Sequence, residues 1–142
     1  ANLIVRRWSG AAPQIFGWNA ADVLGKYISD LNLIYEADIP IVADVSKRIL
    51  SGTEPQLVSR NRNYTKDGSI LHCVWYNSTL TDSSGQVTSI LSLVLDITEQ
   101  VKAEAALRQS EERFRLAARA VAGMVYDWNV QTGEVYRSEG VY

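Results

Sequence analysis

The sequence predicts an α+β fold: an antiparallel sheet with short helices on one face, and a long helix after the last strand. Three observations predict it. First, the strand-like runs Gln56 to Tyr64, Ile70 to Leu80 and Val87 to Ile97 are separated only by Lys66-Asp67-Gly68 and by a turn around Ser84-Gly85. Consecutive strands at hairpin spacing pair antiparallel, and Asp-Gly supplies the left-handed backbone that a tight turn needs. Second, the stretch before them is broken by glycines into short helical pieces. Third, from Glu99 to about Ala122 the pattern is helical with no strand character.

Taken in order, Leu3, Ile4 and Val5 with Arg6, Arg7 and Trp8 read as a strand closed by Ser9-Gly10. Ala12 to Phe16 reads as a helical piece ended by Gly17. Asn19 is placed to cap a second piece, Ala20 to Leu24, stopped by Gly25. Ile28, Leu31, Leu33 and Ile34 are apolar anchors in an irregular stretch. Asp38 is placed to cap a firmer helix with Pro40 in its first turn. Its apolar face is Ile41, Val42, Val45, Ile49 and Leu50, and Ser51-Gly52 stops it. In the long helix, Ala103, Leu107, Ser110, Phe114, Ala117 and Val121 alternate spacings of four and three, either a short heptad seam or an ordinary amphipathic face. Met124 to Trp128 and Glu134 to Arg137 then form a hairpin around Gln131-Thr132-Gly133.

The bulk properties exclude several classes. The 142 residues suit one domain of about 100 plus an appendage. A net charge of -2 with mixed signs offers no basic footprint for nucleic acid. No apolar run approaches the roughly 18 residues of a membrane span, and the start carries no signal pattern, so no direct membrane contact and a cytoplasmic location are expected. The single cysteine excludes an internal disulfide and fits a reducing compartment. With one histidine and one cysteine, no triad or metal cluster assembles, so no activity is expected of this chain.

Specific residues then give a resemblance. Trp8-Ser9-Gly10-Ala11-Ala12, Ile15-Phe16-Gly17-Trp18 and Val23-Leu24-Gly25 resemble an early run of the PAS family, with Ser9 in place of the usual Asn. Asn63-Tyr64-Thr65-Lys66-Asp67-Gly68 resembles its third-strand hairpin. Trp75-Tyr76-Asn77-Ser78 followed by Asp96-Ile97-Thr98 resembles PAS repeats of bacterial sensor histidine kinases and cyclic-dinucleotide enzymes. The match covers residues 1 to about 100. Residues 110–117, with Tyr126-Asp127-Trp128, Thr132-Gly133-Glu134 and Ser138, look like the opening of another PAS repeat. The resemblance thus divides the chain into a sensor domain (1–98), a connector helix (99–122) and an opening hairpin of a second repeat (123–142). It implies a signal-transduction module of a two-component type, with a histidine kinase output first and a cyclic-dinucleotide synthase or phosphodiesterase second. It also implies that Ala1 to Trp8 match the second strand, so that the first strand is missing from the N-terminus. The segment Gly123 to Trp128 could fill that place, in trans through a strand-swapped dimer or by folding back.

By analogy with flavin-binding members, strand alternation turns Asn61, Asn63, Leu71, Cys73, Trp75, Asn77, Ile90, Ser92 and Val94 into a pocket. The candidate ligand set is Asn61, Asn63, Cys73, Trp75, Asn77, Ser92 and Val94. The amides offer donors and acceptors and the indole a flat wall for a small planar or polar ligand. The alternative is that the amides satisfy one another around a filled core. Light-sensing members hold their thiol in Asn-Cys-Arg on a helix, which is absent here, so a covalent flavin adduct is not expected and Cys73 reads as a small buried hydrophobe. Heme-binding members take their iron ligand from the longer helix, where residues 40–51 contain no histidine, so heme is not expected either. His72 reads as a surface or packed histidine rather than a metal ligand. The cofactor stays unknown. Asp96 and Thr98 are the candidate signal relay, with Thr98 as N-cap and Asp96 pairing with a nearby base. Leu91, Leu93 and Leu95 form an apolar stripe that wants a cover and, with Leu107 and Phe114, are the expected helix-packing and dimer residues. A homodimer, by strand or helix exchange, is the expected assembly, along with the neighbouring PAS repeat and an output domain.

Overall fold

The computed structural model describes residues 3–120 and 126–137. The chain divides into two compact units, Ala1–Glu99 and Gln100–Tyr142. In the first, β1 (Gln56–Tyr64), β2 (Ile70–Thr81) and β3 (Val87–Asp96) form an antiparallel sheet in the order β1-β2-β3. Tight turns set the register. Gly68 and Gly85 take φ of 87° and 82°, a conformation in which any Cβ is strained. The Asp82 carboxylate accepts the N–H groups of Ser84 and Gln86. A slip between Leu80 and Thr81 carries β2 one residue beyond the expected end.

α1 (Ala12–Phe16), α2 (Ala20–Val23) and α3 (Ile39–Leu50) precede the sheet, with 3-10 turns at Ile28–Leu31 and Glu36–Asp38. Val23, Leu31 and Leu33 form a core cluster with Val5, Trp8, Trp18 and Ile28 packed on it. Phe16, fully buried, joins helices to sheet: its ring lies 5.6 Å from Trp8 and stacks at 5.9 Å and 17° on Trp75 of β2. Gly17 (φ 74°) ends α1 so that Phe16 can turn inward, and the Phe16 carbonyl accepts the Lys66 N–H at the β1–β2 turn.

The outer edge of β1 is covered without a strand. Tyr35 N–H donates to Arg62 O (3.1 Å) and Tyr64 N–H to Leu33 O (2.8 Å), around a single bridge of Ile34 with Asn63. Asp38 completes this edge. Its Oδ2 accepts the Arg62 backbone N–H (2.6 Å) and Nε (3.0 Å), and its Oδ1 accepts Nη2 (2.6 Å). The guanidinium lies 4.1 Å from the centre of the Tyr35 ring, and Tyr64 Oη donates to Glu36 (2.7 Å).

Several expectations need correction. Leu3 to Trp8 is not a strand: it makes one bridge, Ile4 with Tyr27, because its partner Gly25–Ile28 is a short bend. Asn19 and Asp38 hold cap positions but make no side-chain cap bond. Asp38 is drawn to Arg62, where a charged donor outbids a helix N–H. α2 stops at Val23, leaving Leu24 exposed. On α3 the buried face includes Ile49, with Val42 and Val45 half-buried, while Ile41 points to solvent. β3 ends at Asp96, and α4 (Thr98–Ala120) begins one residue earlier than expected. In the second unit, β4 (Tyr126–Trp128) pairs antiparallel with β5 (Val135–Arg137). The expected helix end at 121–122 and residues 123–125 and 138–142 lie outside the described residues. Among the described residues no helix is long and apolar enough to cross a membrane.

Arg62 holds the Asp38 carboxyl below its ordinary value of 3.8. A carboxylate with a lowered pKa adds stability that is present above 3.8 and is lost as pH falls through its folded value. Asp38→Asn is therefore expected to be less stable than wild type at neutral pH by about 1–3 kcal/mol. The gap should narrow below pH 3.8. Urea denaturation across that range checks both; a gap independent of pH would mean the carboxylate charge is not what holds the edge.

Candidate functional site

The inner face of the sheet brings most of the candidate residues together. Register places Asn61 opposite Cys73, Asn63 opposite Leu71, Trp75 opposite Val94 and Asn77 opposite Ser92. Asn63 and Cys73 are buried and Asn77 nearly so, while Asn61, Leu71, Trp75, Ile90 and Val94 are half-buried. Ser92 is exposed, because β3 has no covering strand on its far side among the described residues. The two polar groups form separate, internally satisfied sets. Asn63 Oδ1 accepts from Asn61 Nδ2 (2.9 Å) and from Trp75 Nε1 (3.1 Å), and Asn63 Nδ2 donates to Leu33 O (2.9 Å). Asn77 Oδ1 accepts the Ser92 hydroxyl (2.6 Å), and its Nδ2 donates to Leu57 O (3.3 Å). Burial, and second the charge of Asp96 opposite it, push the Cys73 thiol up to about 12, so it stays protonated and inert near neutrality.

Open space lies elsewhere. A shallow groove of about 500 Å3 runs between the end of α1 and the β1–β2 turn, lined by residues that include Ile15, Gly17, Lys66 and Asp67. None of the candidate ligand residues lines it. Among the described residues no three histidine, cysteine or carboxylate side chains converge as metal ligands would.

Asp96 and Thr98, the candidate relay residues, meet at the end of the sheet. Asp96 Oδ1 accepts both the Thr98 N–H (2.9 Å) and the Thr98 hydroxyl (2.5 Å). The Thr98 hydroxyl oxygen in turn accepts the His72 N–H (3.0 Å), and the Ile97 N–H donates to His72 O (2.8 Å). Asp96 is thus the group that caps α4, and Thr98 is a buried bridge from the helix start to β2 rather than the N-cap expected. The outer face carries Leu91, Leu93 and Leu95 at 57%, 66% and 52% exposure. On α4, Leu107 and Phe114 are 61% and 64% exposed.

Sequence reasoning missed the pairing of Asp38 with Arg62 and the burial of the Trp18 indole nitrogen. Asp38 and Arg62 are a surface-like acid and base 24 residues apart, with no local signal for their meeting. The Trp18 indole nitrogen is buried without a hydrogen-bond partner among the described residues.

The Asn63 network yields a quantitative expectation. Asn63→Leu keeps the volume but leaves Trp75 Nε1 and Leu33 O unpaired, and should cost about 1–3 kcal/mol in a denaturation curve. Stability equal to wild type would show that these groups readily find other partners.

The geometry agrees with known proteins. A family model described as the PAS fold matches residues 1–97. No curated protein matches the chain. Among solved structures, a sensory box histidine kinase/response regulator from Burkholderia thailandensis superposes with a TM-score of 0.59 at 22% identity, over 75% of this chain and 79% of that one. An RNA-binding light-oxygen-voltage receptor gives 0.58 at 24%, over 72% of this chain and 28% of its own. The N-terminal domain of a diguanylate cyclase with PAS/PAC sensor from Marinobacter aquaeolei gives 0.53 at 22%, over 62% and 82%. At such identities these likenesses speak for the fold alone. The family match spans most of the chain, and with the antiparallel sheet, the short helices and the long following helix it has one meaning: the chain belongs to the PAS family.

Proposed function

We propose that this PAS sensory module works as a relay, passing a change in the sheet or its helices through Asp96, Ile97 and Thr98 into α4 and on to an output domain. The observation that carries this reading is the junction itself. One carboxylate oxygen takes two bonds from Thr98, and Thr98 and Ile97 both bond the peptide groups of His72, so the helix start follows β2. The mutually bonded amides favour relay over capture of a polar ligand by the same residues. A histidine kinase is the first choice of output, supported by the similar sensory box kinase. A cyclic-dinucleotide enzyme is the runner-up, supported by the diguanylate cyclase sensor. The β4–β5 hairpin fits the opening of a second PAS repeat, and a cytoplasmic setting goes with either output.

The test places the module ahead of a histidine kinase output and measures autophosphorylation. Asp96→Ala is expected to leave the domain folded and remove regulation; normal regulation in that variant would end the relay reading. Native mass spectrometry before and after denaturation adds the ligand question, since a mass lost on denaturation would put a bound small molecule back into the function.

A second reading is a ligand-free dimerisation and spacing module. It is favoured by the exposed row Val58, Tyr76 and Leu93 on the outer face, flanked by Leu91 and Leu95, and by exposed Leu107 and Phe114. On this reading the protein is a homodimer, and Leu93→Glu shifts it to monomer with an unchanged circular dichroism spectrum. An unchanged dimer on sedimentation would remove the outer face from the interface.

A further inference from the structure

The junction at α4 is not isolated from the opposite edge of the sheet. His72 stands between them. In the β1–β2 ladder His72 lies opposite Arg62. Thr79 N–H bonds Pro55 O, and the alternation of an antiparallel ladder then makes the Arg62–His72 pair non-hydrogen-bonded, the kind in which facing side chains stand closest. Arg62 is held by three bonds to Asp38, the residue that precedes α3. On its other side, the His72 peptide N–H and C=O take the Thr98 hydroxyl and the Ile97 N–H. One residue therefore faces the α3 anchor across the ladder and holds the α4 start with its backbone.

We infer that His72 is a positioning residue that couples the Asp38–Arg62 ion pair to the first turn of α4. When the ion pair is closed, the guanidinium is fixed along β1, His72 is confined beside it, and its peptide group presents a steady donor to Thr98. When the pair opens, Arg62 is released, β1 is no longer held in place opposite His72, and the Thr98 and Ile97 bonds loosen together. The two-state element is thus the first turn of α4, seated or frayed, and the α3 end of the helical layer is the side from which it is biased. The inference rests on the relay reading and gives it a direction, from α3 through β1 and β2 to α4.

Hydrogen exchange followed by nuclear magnetic resonance on the whole 142-residue protein tests the coupling without any signalling assay. The reporters are the amides at positions 72, 97 and 98; the reference is Thr79 N–H, bonded to Pro55 O at the far end of the ladder. Arg62→Met, which keeps the stem and removes the charge, is expected to lower protection at the reporters by about tenfold relative to Thr79. Asp38→Asn, the milder change, should act in the same direction. In a His72→Ala background Arg62→Met should no longer single out the reporters, while still lowering overall stability. A merely structural ion pair would reduce protection at reporters and reference alike, and that outcome would overturn the inference. So would an undiminished effect of Arg62→Met in the His72→Ala background. If the exchange coupling is present but Asp96→Ala leaves kinase regulation normal, the relay reading fails while this coupling stands.

Discussion

The fork between Asp38 and Arg62 is the constraint on which the rest of the domain depends. A β-strand at a sheet edge carries a row of peptide groups that must be paired, covered or left wet. Here one carboxylate takes the Arg62 peptide N–H and folds its guanidinium back over Tyr35, so a side chain does the work of a neighbouring strand. That bond also ties Asp38, the residue before α3, to β1. The core lies between the helices and the sheet, so it can close only if both are held at one spacing. The fork sets the spacing at one side, and the Trp8–Phe16–Trp75 stack sets it at the other.

The interior built within that frame is polar but self-contained. Asn63 alone serves a strand neighbour, an indole and a loop carbonyl, which uses most of an amide's capacity. Such a network rigidifies a core when complete and is costly when broken. This is why the same residues that look like a recognition set on a strand diagram act here as internal scaffolding, and why the reading of the module moves from capture toward transmission.

Much of this was legible in the chain. The three strands, their turns and the inner and outer faces follow from period-two alternation and from Gly68 and Gly85, because such signals are local. At the end of β3, the sequence points to Thr98 as the cap, whereas in the fold Asp96 accepts the first helical N–H, since which oxygen caps a helix depends on what else competes for it. Here the His72 peptide claims the Thr98 hydroxyl. The polar set was identified residue by residue, yet whether those amides faced a ligand or one another depends on distances that no spacing in sequence encodes. Asp38 shows the limit most clearly. Its place before a Pro-containing turn predicts a cap, and only the fold reveals that a more strongly binding arginine lies within reach. The strand expected at Leu3 to Trp8 failed for a related reason: strand-forming residues need a straight partner, and Gly25–Ile28 bends away after one bridge.

The junction at Thr98 has a consequence for how modules of this kind are combined. The bonds described there join Asp96, Ile97 and Thr98 to one another and to one residue of β2. The sheet therefore holds the first residue of α4, and the residues beyond it follow the helical repeat. Each residue inserted after Thr98 turns every later side chain by about 100° about the helix axis. Leu107 and Phe114, seven residues apart, would keep their mutual alignment but face a new direction. Inserted whole heptads would therefore preserve the phase of side chains along the helix on either side of the insertion, and other lengths would change it.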